Sequence, residues 1–421
     1  MPASTCPMSP HDAFVTGIGI VSPAGCGREA TWASLLAGQT CVRRIERGNL
    51  TGCTTNLAGV VRDFLPPEGT ESTDRVCQFA VAAAEEAVVS AGLGADKFQA
   101  LGPRRSRVSI GTSKGGMLTF ASVVGVFSGK SHMPGDTVHR LGDIPPDAPA
   151  RHVAARFGIR GGMHTSVAAC TTGTLAVIRA AQWIHDGEAD VVLCGSSDAS
   201  LHPLWFGAFQ RMNVLALEHP SLGPAWACRP FDQSRKGFAM GEGAAILVLE
   251  SARSIRCRSG SPIARITGYA TGTDPVGLTQ LTADGSPLRR VIQLACDRAG
   301  CQPESISCIH AHGTGTLGND LIETRAIRRC LGARAAEVPI VSLKGAIGHL
   351  LGAAGAVELA VAALTCRDHK CPGTSTLLEP DPHLGQLTLP TKAFEIPKPE
   401  CLLKTSLGFG GQLAAVIIEP T

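Results

Sequence analysis

The sequence predicts an α/β fold that is built from two similar halves. Short apolar runs typical of buried strands alternate with segments of helical periodicity along the whole chain. This alternation starts again near residue 262, so we expect one half over 13–261 and a second over 262–421. Each half also has a strand, a small-residue turn and a helix start, at Cys170-Thr-Thr-Gly173 and at His349-Leu-Leu-Gly352. The shared pattern indicates an internal duplication.

The apolar periodicity also places the individual elements. We predict strands over 14–21, 107–111, 164–169, 189–195, 244–249, 263–269, 306–311, 338–343, 402–407 and 413–418. We predict helices over 29–36, 74–91, 150–157, 171–184, 204–214, 286–299, 320–331 and 349–365. The segment 128–149 is rich in Gly, Pro and His and is expected to be an inserted loop.

The composition excludes several classes of protein. The chain has 421 residues with 44% hydrophobic and 17% charged side chains, which is typical of a globular protein. A net charge of +3 and 4% aromatic residues argue against a nucleic-acid partner. No apolar run is long enough to span a membrane, and the 16 cysteines include no C-x-x-C pair. We therefore expect a cytoplasmic protein with reduced thiols and no membrane span.

Cys170 is the candidate nucleophile. It stands between a predicted strand and a predicted helix, where free amide hydrogens and the helix dipole favour a thiolate. Ala168, Ala169 and Gly173 leave space for a substrate to approach the sulfur. The alternative for any small cysteine is a structural position in the core.

Two histidines are candidates for substrate contact. His312 follows a predicted strand within His310-Ala-His312-Gly-Thr-Gly-Thr316, and His349 stands at the predicted helix start after Lys344. A helix N-terminus disfavours the imidazolium, so a neutral His349 ring could donate an N–H hydrogen bond. Glu358 falls inside an apolar helix, where a carboxylate needs a partner, and Lys344 is the candidate.

Three other chemistries fit less well. A strand with Gly17-Ile-Gly19 suggests a dinucleotide site, but Ser22 stands where the third glycine is required. Cys170, His312 and His349 could ligate zinc, but they lack a close pair, so we predict no metal. The chain has no G-x-S-x-G motif of a serine hydrolase.

Together these motifs resemble the β-ketoacyl-acyl carrier protein synthase family, in its elongating branch with a Cys-His-His site. The resemblance covers Val15 to Glu419 and rests on motifs that follow one another in the family's order. These are Ala169-Cys170-Thr-Thr-Gly173, Pro230-Phe-Asp232 with Gly241-Glu-Gly243, His312-Gly-Thr-Gly-Thr316 with Asn319-Asp320, Lys344 through Gly355, and Gly408-Phe-Gly-Gly411.

The resemblance implies a thiolase-like fold with α-β-α-β-α layers, normally a homodimer, and acyltransferase activity. Cys170 would take an acyl group from an acyl carrier protein, and His312 and His349 would polarise a malonyl thioester while carbon dioxide leaves. The resulting enolate would attack the acyl-cysteine in a Claisen condensation that adds two carbons. No cofactor is implied beyond the phosphopantetheine arm of the carrier protein.

The resemblance also implies roles for further residues. The N–H groups of Cys170 and Phe409 would form the oxyanion hole, and Lys344, paired with Glu358 and Asp320, would support the histidine loops. The substrate-binding residues would be Thr314, Thr316 and Thr279 at the phosphopantetheine arm, and Phe209, Phe409 and Lys114 at the acyl pocket.

Some positions depart from the family pattern. Gln412-Leu413 replaces the usual Thr-Asn, Lys114 replaces an apolar lining residue, and Lys236 replaces a common acidic residue. The alternatives are therefore a discrete polyketide ketosynthase that works with a partner subunit as a heterodimer, or a non-catalytic partner that determines chain length. Thiolase itself fits poorly, because Cys401 precedes a strand rather than a glycine loop.

Overall fold

Strands and helices alternate along the chain, as the apolar periodicity predicts. The computed structural model describes residues 9–45, 50, 52–94, 98, 105–128 and 140–421. The strands are β1 (Ala13–Ser22), β2 (Gly25–Cys26), β3 (Val42–Arg44), β4 (Leu57–Gly59), β5 (Ser106–Gly111), β6 (Met163–His164), β7 (Val191–Asp198), β8 (Met240–Gly241), β9 (Gly243–Ser251), β10 (Ala264–Thr273), β11 (Ile306–His310), β12 (Ile340–Val341), β13 (Lys370–Cys371), β14 (Phe394–Glu395), β15 (Cys401–Gly408) and β16 (Gln412–Pro420). The α-helices of these residues are α1 (Arg28–Leu36), α2 (Arg75–Ser90), α3 (Met117–Phe127), α4 (Ala148–Phe157), α5 (Thr172–His185), α6 (Pro203–Arg211), α7 (Ala252–Arg258), α8 (Ser286–Ala299), α9 (Leu317–Leu331), α10 (Lys344–Ile347) and α11 (Ala354–Asp368).

The main sheet confirms the predicted duplication. In the first half its strand order is β1-β9-β7-β5-β6, and in the second half it is β10-β16-β15-β11-β12. In each series the first two pairings are antiparallel and the last two are parallel. The two series meet where β1 pairs antiparallel with β10. The same topology therefore occurs twice, while the boundary between 261 and 262 stays a prediction.

The helices complete the α-β-α-β-α layers of the thiolase-like fold. An apolar cluster joins α2 and α4 to the outer face of the first half's strands, and another joins α8 and α9 to the outer face of the second half's strands. A third cluster lies between the two sets of strands and contains α5 and α11. Because both faces of these strands are buried, their sequences read as continuous apolar runs. Helix α11 is buried on every side from Ala354 to Cys366, which is the pattern of a central helix.

The two central helices touch at glycines. A Cβ atom at Gly173 in α5 would lie 2.6 Å from the backbone nitrogen of Ala356 in α11. A Cβ atom at Gly355 in α11 would lie 2.8 Å from the backbone nitrogen of Thr174 in α5. Both distances are shorter than a carbon contact permits, so only glycine allows this approach. The contact brings the first turn of each helix, one from each half, to the middle of the molecule.

Four predicted elements differ clearly from the structure. The predicted strand 338–343 is reduced to β12. The predicted strand 164–169 is reduced to β6, because the chain enters a 3-10 turn at Ala169–Thr171. The predicted helix 349–365 starts only at Ala354, because Gly348 at φ 76° ends α10 and His349 bridges to Met240 instead. Of the predicted loop 128–149, residues 129–139 lie outside the described residues, and α4 already begins at Ala148.

No helix in the described part of the chain has both the length and the apolar character that a bilayer crossing requires.

Gly173→Ala tests the contact between the central helices. We expect a loss of about 1–3 kcal/mol in the free energy of unfolding, because the new methyl group must displace the backbone of α11. Urea denaturation gives this quantity. Gly207→Ala in α6 is the matched control, since a Cβ there meets nothing within 4 Å and should stabilise the helix by up to about 1 kcal/mol. Equal stability of the two variants would contradict the close approach.

Candidate active site

Cys170 is presented by a tight turn at the start of α5. Ala169 has φ 48°, a left-handed conformation that is uncommon for a residue with a side chain and typical of functional turns. The Thr171 and Thr172 hydroxyls donate to the carbonyls of Ala168 and Ala169, at 2.7 and 2.8 Å. The turn is thus fixed by its own side chains, and Cys170 opens into a cavity of about 270 Å³.

The structure brings Cys170, His312 and His349 together. The Cys170 sulfur and one ring nitrogen of each histidine all lie within 4.8 Å of one another. All three side chains are buried and line the same cavity. The walls also contain further residues that the resemblance implied, namely Thr279, Thr314, Thr316 and Phe409. Residues from both halves therefore converge on one site, as the sequence predicts.

The Cys170 thiol is not activated in the way the sequence predicts. Burial raises its pKa to about 11, although the charges of Lys114 and Lys344 and a hydrogen bond from the Phe409 N–H act in the opposite direction. Burial therefore opposes the thiolate that the predicted helix terminus would favour. With its pKa raised to about 11, the sulfur is protonated at neutral pH.

Both histidines are neutral, and both carry their proton on the same nitrogen. Burial and then the charge of Lys344 hold the pKa of each ring well below its usual range. The Leu351 N–H donates to His349 Nδ1 at 3.2 Å, and the Lys344 ammonium, which can only donate, lies 3.4 Å from His312 Nδ1. Each ring therefore carries its proton on Nε2. The sequence predicts a neutral His349 because of a helix start at this residue. The ring is neutral because it is buried near Lys344, and no helix starts at His349.

A buried ion network supports His312. The Lys344 ammonium contacts Glu358 at 2.5 Å and the His312 carbonyl oxygen. The other Glu358 oxygen lies 2.9 Å from the Lys404 ammonium. Although burial alone would raise the pKa of Glu358, the two lysines hold it below its usual value. Sequence reasoning found the Lys344–Glu358 pair but missed Lys404, whose signal was a lysine inside an apolar strand.

Asp320 does not pair with Lys344, contrary to the prediction. Its carboxylate accepts hydrogen bonds from the N–H groups of Thr314 and Gly315, at 3.0 and 3.2 Å. It also lies 3.4 Å from the Arg235 guanidinium. Burial raises the pKa of this carboxyl to about 6, although the arginine charge and the N–H donors around it act in the opposite direction. Asp320 therefore fixes the backbone of the loop that carries His312, and it does not contact Lys344 beneath that loop.

Glu323 on α9 is a second carboxylate that holds the loop carrying His312, and sequence reasoning missed it. It accepts hydrogen bonds from the N–H groups of His312 and Gly313, at 2.7 and 2.8 Å, and from the Thr405 hydroxyl at 2.6 Å. It lies one helical turn after Asp320 on α9, and that spacing was the signal in the sequence. Together the two carboxylates hold the backbone on both sides of Gly313.

Phe409 brings a backbone donor to the sulfur. Its N–H group lowers the pKa of the Cys170 thiol, against the effect of burial. The next two residues, Gly410 and Gly411, have φ 81° and 79°, and a Cβ at Gly411 would lie 2.0 Å from the Asp274 carbonyl oxygen. Only glycine fits this turn, and the turn sets the direction of the Phe409 N–H.

Lys114 packs on aromatic rings close to the site. Its ammonium lies 4.8 Å from the centroid of the Trp205 ring and 5.7 Å from that of Phe209, and it donates to the Ser113 hydroxyl at 2.6 Å. Phe209 in turn lies 6.3 Å from Phe409 between ring centroids. Neither Lys114 nor Phe209 is among the residues that line the cavity itself. The charge is thus held beside the aromatic residues that the resemblance assigns to the acyl pocket.

The comparison with protein-family models identifies the family of the chain. The model described as "Beta-ketoacyl synthase, N-terminal domain" matches residues 12–254, and "Beta-ketoacyl synthase, C-terminal domain" matches residues 263–377. The tetracenomycin polyketide synthase ketoacyl synthase alpha subunit of Streptomyces glaucescens is 37% identical over 418 residues, which cover 96% of this chain and 96% of that protein. The 3-oxoacyl-[acyl-carrier-protein] synthase 2 of Staphylococcus aureus is 32% identical over 412 residues, covering 96% and 100%.

Solved structures agree with the family models. One similar structure shows a type II polyketide synthase acyl-carrier protein in complex with its ketosynthase bound to the hexaketide. Its TM-score is 0.88 at 29% identity, and the match covers 98% of this chain and 100% of that chain. The ishigamide ketosynthase/chain length factor gives a TM-score of 0.88 at 32% identity, covering 97% and 99%.

The fold and the site define a condensing enzyme of the thiolase-like class. The chain belongs to the beta-ketoacyl synthase family, which forms carbon–carbon bonds in fatty acid and polyketide synthesis.

Alkylation of Cys170 by iodoacetamide tests its electrostatic surroundings. We expect the rate to rise with pH toward a midpoint near 11, because the thiolate reacts and burial raises the thiol pKa to about 11. Lys114→Met should slow the reaction at any pH below that midpoint, since the lysine charge favours the thiolate. Lys236→Met, which removes an equal charge from the cavity wall, is the control. A Lys114→Met profile that coincides with wild type would refute the electrostatic role.

Glu358→Gln tests the buried ion network. We expect a loss of about 3–5 kcal/mol in the free energy of unfolding near pH 7, because two buried ammonium groups lose their shared carboxylate. The loss relative to wild type should shrink as the pH falls below 4.5, the ordinary pKa of a glutamate. The folded protein lowers the pKa of Glu358, so the ionised carboxylate stabilises the fold above pH 4.5 and this contribution is lost as the carboxyl takes up a proton. Glu337→Gln breaks an exposed pair with Arg334 and should cost about 0–1 kcal/mol. Similar losses in both variants would contradict the network's importance.

Proposed function

We propose that Cys170, His312 and His349 carry out a decarboxylative Claisen condensation between an acyl thioester and malonyl-acyl carrier protein. The observation that carries the proposal is the convergence of one sulfur and two imidazole nitrogens within 4.8 Å at a shared cavity. The neutral state of both rings supports it further, because a neutral imidazole donates a hydrogen bond to a developing enolate oxygen without transferring its proton.

The first stage loads the acyl group onto Cys170. The sulfur attacks the thioester carbonyl of the incoming chain, and the bond from that carbonyl to the pantetheine sulfur breaks. The thiol proton leaves with the pantetheine, so the charge of the buried site does not change. The N–H groups of Cys170 and Phe409 stabilise the tetrahedral oxyanion. Thr314, Thr316 and Thr279 on the cavity wall bind the phosphopantetheine arm.

The second stage forms the new bond. His312 and His349 donate from Nε2 to the carbonyl oxygen of the malonyl thioester, and carbon dioxide leaves as an enolate forms. The enolate carbon attacks the acyl-Cys170 carbonyl, and the carbon–sulfur bond to Cys170 breaks. The product is a β-ketoacyl chain on the carrier arm, longer by two carbons, and the displaced Cys170 thiolate takes up a proton from solvent. Lys344, Glu358 and Asp320 hold the histidine loop, and the reaction needs no bound cofactor.

The partners and the pathway are proposed from the relatives. An acyl carrier protein delivers both substrates, by analogy with the solved complex of a ketosynthase and its acyl-carrier protein. We favour a polyketide pathway over fatty acid synthesis, because identity is higher to the Streptomyces glaucescens subunit than to the Staphylococcus aureus enzyme. A related chain-length-determining subunit is then the partner in a heterodimer, in place of a second copy. Lys114 beside Phe209 favours acyl chains that carry oxygen atoms.

The cysteines support a cytoplasmic location for this reaction. Each cysteine of the described residues is free, and many of them are buried in the core. Proteins of an oxidising compartment use cysteines mainly for disulfides, whereas the cytoplasm keeps thiols reduced. We therefore place the condensation in the cytoplasm.

Release of carbon dioxide from malonyl-acyl carrier protein tests the roles of the two histidines. His312→Ala and His349→Ala should each slow the release by about 10²–10³-fold, because each removes one donor to the enolate oxygen. Cys170→Ala should abolish acyl loading and condensation. His383→Ala, an exposed histidine outside the cavity, is the control. Unchanged carbon dioxide release in His349→Ala would refute the proposed role.

Mass spectrometry of the full chain with a panel of acyl-carrier substrates tests the function as a whole. We expect a mass increase that maps to Cys170 and is absent in Cys170→Ala. Native mass spectrometry of the same samples distinguishes a homodimer from a complex with a related subunit. A chain that takes up no acyl group and releases no carbon dioxide, with or without such a subunit, would be the non-catalytic partner instead.

A further inference from the structure

A second group of potential ligands lies away from the active-site cavity. Cys308 and His310 alternate on β11 and therefore face the same side of the sheet. Cys371 on β13 meets them after the end of α11. All three side chains are buried, with exposed fractions of 0%, 1% and 0%. The condensation proposed above uses none of them.

The distances within this group match a metal site. The two sulfurs lie 3.7 Å apart, and the Cys371 sulfur lies 3.7 Å from His310 Nε2. All three donor atoms lie within 4.8 Å of one another. A tetrahedral zinc ion, with Zn–S bonds of about 2.3 Å and Zn–N bonds of about 2.0–2.1 Å, separates two sulfurs by about 3.8 Å and a sulfur and a nitrogen by about 3.5 Å. An ion therefore fits after shifts of a few tenths of an ångström.

The donor set suits a divalent ion. Two thiolates with one divalent ion and one neutral imidazole form a site without net charge. Soft sulfur ligands select zinc or copper(I) over magnesium and calcium.

We propose that Cys308, His310 and Cys371 bind a zinc ion that joins β11 to β13. Sequence spacing gave no sign of this site, because Cys371 is 61 residues from His310 and no C-x-x-C pair is present. The role is structural, since β11 leads directly into the loop that carries His312. His310 Nδ1 has no hydrogen-bond partner among the described residues, so no neighbour fixes the ring from its far side. We therefore expect a zinc affinity below that of a four-ligand structural site.

Metal content of the full chain tests the proposal. The protein is produced in zinc-supplemented medium, because the ligands are enclosed and the ion enters during folding, and is then freed of loose metal. We expect about one zinc ion per chain by elemental mass spectrometry. Cys308→Ala and Cys371→Ala should lose it, while Cys194→Ala, at another buried cysteine, and Cys170→Ala should retain it.

X-ray absorption at the zinc edge of the wild-type protein gives an answer that depends on no variant. We expect two sulfur ligands and one imidazole ligand. One sulfur and two imidazoles would assign the ion to Cys170, His312 and His349 and overturn the proposal. A metal-free protein after supplementation, or a disulfide between Cys308 and Cys371 in peptides prepared without reductant, would overturn it as well. None of these readouts depends on condensation activity.

Discussion

One carboxylate shared by two lysines sits at the centre of this molecule. Glu358 belongs to the central helix α11, and its two oxygens contact Lys344 and Lys404, which come from separate elements of the second half. Three ionised groups in an apolar core are tolerated only while they remain together. Lys344 also donates a hydrogen bond to the His312 carbonyl oxygen. The buried ion pairs of Glu358 therefore help to position the His312 ring.

The duplication explains how distant residues meet. Each half contributes one central helix, and the helices approach at Gly173 and Gly355 more closely than any other residue would permit. Cys170 precedes the first helix, and His349 precedes the second by a short irregular segment. Their meeting at one cavity is therefore a property of the layered fold, and the loop that carries His312 completes the site from the end of β11.

Much of this arrangement could be predicted from the sequence. Alternating periodicity gave the layers, and the motifs around Cys170, His312 and His349 gave the reacting groups. The acid–base state of the sulfur could not be predicted, because its burial depends on neighbours from both halves that are distant in the sequence. The partners of Asp320 could not be predicted either, since a carboxylate near the start of a helix can bind a backbone loop or a lysine, and only the folded chain selects between them.

The protonation states of the site have a consequence for its working conditions. Both imidazoles lose their proton far below neutrality, and the sulfur keeps its own until strongly alkaline solution. Across the whole middle of the pH scale, the three groups therefore hold one fixed set of protons. Acidity near neutrality therefore acts on the attack by Cys170, whose proton must leave, and leaves the two imidazole donors unchanged.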